Sequence, residues 1–233
     1  NQNLAMMDRA LYALTTGACN VAIGRNALGA STTGCSNIAI GELALGAAVT
    51  TGCNNIALGN SSMDALTTGK WNVAMGLNAL GASTTGCYNI AIGDAALGLA
   101  DTTGNHNIAM GASSMDALTT GQFNIALGNL ALSQSTTGCH SIALGWNALG
   151  AGVTTGIKNT AIGHSALNAL TTGICNVAIG PNALGASTTG CLNVAIGNLA
   201  MGVAVTTGLN NVAIGSNAMD ALTSGPDNSA IGR

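Results

Sequence analysis

The sequence predicts an all-β chain, a parallel β-solenoid (β-roll or β-helix) of thirteen 17- or 18-residue units grouped in 52-residue blocks. Three observations predict it: one motif runs through nearly the whole chain, the step between its copies is almost constant, and each unit is dense in residues that favour strands and turns. The unit reads N-[IV]-A-[ILM]-G-x-x-[AS]-[LM]-x-x-x-T-T-G-x-x. Its closing glycines are Gly24, Gly41, Gly59, Gly76, Gly93, Gly111, Gly128, Gly145, Gly163, Gly180, Gly197, Gly215 and Gly232, so the step is 17 or 18 residues throughout and three steps make 52. No insertion or deletion interrupts this rhythm, which places unit length under a physical constraint.

Each part of the unit has a predicted place. A 17-residue unit leaves room only for two very short helices, whereas Gly, Thr, Asn, Val and Ile favour strands and turns. In Asn37-Ile-Ala-Ile-Gly41 strand alternation sends the two isoleucines one way and Ala39 the other, and hydrophobicity assigns the isoleucines to the core. Four residues after each closing glycine comes Leu or Met, from Leu28 to Met219, as a second inward layer. Thr-Thr-Gly reads as a corner, and the Asn before each strand, replaced once by Ser141, reads as a ladder of amides bonded from rung to rung. One unit cannot bury its own apolar face. Stacked in parallel about 4.8 Å apart, the units form a continuous core and a rod of about 60 Å. One unit per rung with a periodic bulge is favoured over a 52-residue turn with three similar sides. The whole of 1–233 reads as one repeat domain, a processed product or an excerpt of a longer fibre.

Composition narrows the function. Nearly half of the residues are apolar, but only five are basic and eight acidic, so neutral Thr, Ser and Asn must keep the surface in solution. A net charge of −3 and 2% aromatic residues supply neither the basic patch nor the stacking platform of a nucleic-acid binder. No apolar run reaches the roughly 18 residues of a membrane span. His106, His140 and His164 are read at unrelated places in their units, no acids cluster beside them, and Asp64, Asp116 and Asp220 read as turn or capping residues. No catalytic, cofactor or metal site is expected, and the chain is not expected to be an enzyme.

Two columns remain as candidates. The strand-centre alanines, among them Ala39, Ala57, Ala91, Ala126, Ala178 and Ala213, are held to a single methyl in every unit, which predicts a surface where another backbone packs closely, either a second chain or another side of the same solenoid, with an inert flat surface as the alternative. Cys35, Cys87, Cys139 and Cys191 recur every 52 residues after Thr-Thr-Gly. With one unit per rung, Cys35 and Cys53 stack within disulfide range, Cys175 and Cys191 are near neighbours, and Cys87 and Cys139 are left free or paired between chains. Small apolar filler is the alternative role for these cysteines.

The strand motif is also familiar. Asn54-Asn-Ile-Ala-Leu-Gly59, His140-Ser-Ile-Ala-Leu-Gly145 and Asn210-Asn-Val-Ala-Ile-Gly215 resemble the N-S-V-A-I-G signature of trimeric autotransporter adhesin heads, in a unit longer than theirs. Runs of the form T-T-G-x-x-N-x-A-[IL]-G-x-x-A-L are similar to those of phage tail-fibre proteins. The resemblance covers nearly the whole chain. It implies a parallel β-roll, often trimeric, displayed at an extracellular cell or virion surface and working by length, stiffness and adhesion. The expected function is a non-catalytic structural or adhesive fibre that partners with itself through neutral faces or ends, and with surface glycans. An ice-binding or glycan-binding module is the alternative.

Overall fold

The structure is a computed structural model that describes residues 2–232. It divides into two compact units, Asn1–Thr120 and Gly121–Arg233. The first carries β1 (Leu4–Met6), β2 (Val21–Ile23), β3 (Ile38–Ile40), β4 (Ile56–Leu58), β5 (Val73–Met75), β6 (Ile90–Ile92) and β7 (Ile108–Met110). The second carries β8 (Ile125–Leu127), β9 (Ile142–Leu144), β10 (Thr160–Ile162), β11 (Val177–Ile179), β12 (Val194–Ile196), β13 (Val212–Ile214) and β14 (Ser229–Ile231). There is no helix among the described residues.

Within each unit every strand pairs in parallel with the next, in register, so that Ala39 lies beside Ala57 and Ala178 beside Ala195. Each rung is therefore one repeat unit, and the 52-residue turn is excluded. The fold is the parallel β-solenoid that the periodicity predicts. β1 adds a strand to the thirteen counted from the glycines, because Met7 stands where the other units have their closing glycine and still takes a positive φ of 82°.

The inside of the coil departs from expectation. From β2 to β13 the strand-centre alanines point inward and are fully buried, and the flanking isoleucines, valines, leucines and methionines point outward, half-buried or exposed. Alternation predicted the two sets correctly, but assigning them by hydrophobicity reversed them. The fully buried Leu or Met column, Leu28 to Met201, already fills much of the interior, and with Ala27, Ala44 and their counterparts also inside, a rung of 17 residues admits only a methyl from the strand.

Three non-glycine residues in a typical rung take left-handed backbone conformations, for example Asn78, Leu80 and Tyr88 at φ 53°, 51° and 59°. They let a short chain turn sharply enough to close. Asn, which tolerates that region, holds five of the twelve positions two residues beyond a closing glycine, and the small Ser holds three more. The Leu or Met two residues further on has no such tolerance, and its full burial offsets the strain.

One corner explains the grouping in threes. A single inward position is held in turn by Ser, Thr and Leu: Ser31, Thr50, Leu66, then Ser83, Thr102, Leu118. The Ser31 hydroxyl donates to the Thr50 carbonyl at 3.0 Å, and the Thr50 hydroxyl donates to the Leu66 carbonyl at 2.9 Å. Ser83, Ser135 and Ser187 repeat the first bond, and Thr102, Thr154 and Thr206 the second. The extra residue of each 18-residue rung lies just before its Thr and leaves Val49, Asp101, Val153 or Val205 exposed beside it.

The asparagine ladder forms as predicted. Asn37 donates its backbone N–H to Asn20 Oδ1 at 2.9 Å and its side-chain amide to the Gly52 carbonyl at 2.9 Å, tying strand start, corner and neighbouring rung together. At Ser141 the ladder thins: its hydroxyl accepts from Asn159 N–H at 3.3 Å and donates only to Cys139 O at 3.4 Å. Ser141→Asn is expected to add the missing amide bond to the Gly156 carbonyl and raise stability by about 1 kcal/mol, or about 2–4 °C in Tm, as read by thermal melting.

Candidate interaction surface

The outer face of each sheet carries two aliphatic columns, one on either side of the buried alanines. In β2 to β7 they are Val21, Ile38, Ile56, Val73, Ile90 and Ile108 on one side, and Ile23, Ile40, Leu58, Met75, Ile92 and Met110 on the other. Ile40 is 41% exposed and Met110 likewise. The second unit repeats the pattern, with Leu127, Ile142, Ile179, Ile196 and Ile214 exposed. No Lys, Arg, Asp or Glu occurs in any of the fourteen strands. A monomeric protein rarely leaves so continuous an apolar strip to solvent. The alanine column, Ala39, Ala57, Ala91, Ala126, Ala178 and Ala213, is instead sealed inside, so of its two expected neighbours it has the other side of its own solenoid.

Beside the first aliphatic column runs a column of exposed side chains, two residues before each strand. Here Trp71 stacks on Tyr88 with centroids 4.9 Å apart and planes 8° from parallel, and Tyr88 stacks on His106 at 4.8 Å. In the second unit Phe123 stacks on His140 at 5.0 Å, and in a column on the far side of the strands Trp146 stacks on His164 at 4.6 Å. Reading the histidines as unrelated was therefore incorrect for two of them: His106 and His140 occupy the same place in their units. The signal was legible, since Trp71, Tyr88, His106, Phe123 and His140 each immediately precede the Asn (or Ser141) of five consecutive units. The low aromatic content hid a local concentration. Rung spacing near 4.8 Å suits face-to-face offset stacking, and it holds the rings in a row.

The cysteines are all free. Cys35 and Cys53 do lie in one column on consecutive rungs, with Asn54 N–H donating to Cys35 O at 3.1 Å, while each thiol donates to the carbonyl two residues back, Thr33 or Thr51. Cys87, Cys139 and Cys191 share that column, but with one unit per rung they recur only every third rung. Cys175 stands in the ring column, so its neighbour Cys191, whose sulfur accepts from Ile174 N–H at 3.4 Å, is diagonal to it rather than stacked.

Threonine hydroxyls serve the corner. Thr15, Thr67 and Thr171 donate to the next rung's Thr32, Thr84 and Thr188 carbonyls at 2.9 to 3.0 Å, and the second Thr of each pair forms a single exposed column. Among the described residues no three His, Cys, Asp or Glu side chains converge as metal ligands, and no cavity opens. No helix is long and apolar enough to cross a membrane. The one ion pair among the described residues, Arg25 with Glu42, bridges two rungs on the surface.

Asp116 is the exception to the neutral interior. It is only 6% exposed, its Oδ1 lacks a hydrogen-bond partner, and its carbonyl accepts from Ala100 N–H at 2.9 Å. Burial raises its pKa above the ordinary 3.8, against the opposing pull of backbone amides and Ser113; Asp64, its counterpart one block earlier, is raised for the same leading reason. A carboxyl whose folded pKa lies above its unfolded one is most stabilising when protonated. Its contribution is complete below pH 3.8, is lost as pH rises through the folded value, and then stays flat. Asn168 fills the equivalent place without charge. Asp116→Asn is expected to raise stability at neutral pH, with the gain over the parent vanishing in acid, as measured by urea titrations across that range.

Compared with protein-family models and with curated proteins, the chain matches none.

Proposed function

We propose that this protein is a structural or adhesive fibre component exposed at an extracellular cell or virion surface, and that it works by assembling with copies of itself through the outer sheet face. The observation that supports this best is the pair of uncharged, largely aliphatic columns, half-buried or exposed on strand after strand. A second copy of the chain is the occupant they suit. Any copy presents the same columns at the same rung spacing, so two or three faces brought together around an axis along the stacking direction interdigitate without a charge to bury. Stability that rises with the number of stacked rungs, and a surface nearly free of charge, both suit a load-bearing rod.

The experiment is size-exclusion chromatography with light scattering, on the parent and on the double variant Ile40→Lys, Met75→Lys. Both side chains point away from the core, so the fold should survive. The parent should run as an oligomer and the variant as a monomer with the same circular dichroism. A parent that stays monomeric at high concentration, or a variant that assembles as the parent does, overturns the proposal.

A further inference from the structure

Both tryptophans stand at the same kind of place. Trp71 is 48% exposed, has one indole face covered by Tyr88 of the next rung, and turns the other toward the preceding rung, where its column holds Asn54. Trp146 is also 48% exposed, is covered on one face by His164, and turns the other toward Asn129. Asn54 and Asn129 are exposed, and each amide is shorter than the indole in the rung that follows it. On its second side each indole therefore has, in its own column, a short amide residue in place of a ring. The two arrangements lie in different columns and different compact units, so the coincidence does not follow from the repeat.

We propose that each tryptophan, with the asparagine beneath it, is a binding platform for a hexopyranose unit of a glycan. A pyranose ring has one apolar face of C–H groups, which stacks on an electron-rich indole, and a rim of hydroxyls. The asparagine amide offers both a donor and an acceptor and so matches a pair of neighbouring hydroxyls. The covering ring holds the indole in place, which lowers the ordering cost of binding. Charge is scarce on this surface, as suits a neutral, hydroxyl-rich ligand. At the first platform the Lys70 ammonium lies 6.0 Å from the Trp71 centroid and adds a donor that the second lacks.

The inference deepens the adhesive half of the proposed function. Its test uses the full chain on an immobilised panel of neutral hexose and hexosamine oligosaccharides, followed by fluorescence titration of the best binder. Trp71→Asn and Trp146→Asn are the variants, because asparagine already occupies each of those columns on another rung. At least one oligosaccharide should bind and shift indole emission. Each single variant should halve the number of sugar sites per chain and the double variant should abolish binding, with the thermal melt unchanged. Absence of binding across the panel, or equal affinity in the double variant, overturns the platform. Light scattering on the same samples separates the two ideas: a chain that assembles but binds no sugar leaves the fibre standing and removes the platform.

Discussion

Replacing Gly76 by alanine is expected to cost about 3 kcal/mol or more, enough to unfold the rungs around it at moderate urea. Gly76 sits at φ +139°, a region that a side chain makes strongly unfavourable, and a Cβ there would overlap the Gly93 carbonyl of the next rung. That overlap has no soft neighbour to yield: the atoms it meets are backbone, and Gly93 is held in turn against Gly111. Relief would require two rungs to separate, breaking the ladder on either side. Gly81→Ala is the comparison. Gly81 has no positive φ, its nearest atom to a new Cβ is 3.0 Å away, and Asp64 and Ser133 occupy the same place in other units, so the cost should stay within about 1 kcal/mol. Urea midpoints followed by circular dichroism separate the two.

Asn55→Ala should do comparable damage by a different route. Asn55 is fully buried, and its amide donates to Gly69 O at 2.9 Å and Asn37 Oδ1 at 3.1 Å. Its Oδ1 accepts from the backbone N–H and the side-chain amide of Asn72 at 3.0 and 3.1 Å. Alanine removes all four bonds and leaves donors and acceptors dry inside the coil, at about 1–3 kcal/mol for each group left unpaired, for a total of about 3–5 kcal/mol. Asn55→Ser should recover part of this, since Ser141 and Asn159 show that a hydroxyl can keep the backbone link. Hydrogen exchange should report the loss first at Asn72 N–H. If Asn55→Ala melts with the parent, the ladder contributes little and the corners carry the stack.

Periodicity made the architecture legible, because one repeat per rung is the only way for motifs 17 or 18 residues apart to lie side by side in register. The asparagine ladder followed from chemistry: a buried amide needs partners, and the neighbouring rung supplies them. What hydrophobicity misled was the side of the strand. Ile38 and Ile40 are more apolar than Ala39, yet the coil closes so tightly around Leu45 that only the methyl fits, and volume overrides polarity. The ring column was missed for another reason. Tyr88 and His106 differ in class, so a search for one residue type passes over a column that is united by shape. The left-handed leucines had no signal in composition, because their conformation is imposed by closure of the rung.

The rotation of Ser, Thr and Leu through one corner also acts as a ruler. Loss or duplication of three rungs sets every hydroxyl donor against the carbonyl it already uses, and the longer rung falls where its serine expects it. Loss or gain of one or two sets a serine or threonine hydroxyl against a different neighbour and puts the longer rung out of phase. A change in rung number that keeps this corner intact therefore comes in quanta of three coils, the same 52 residues by which the sequence repeats.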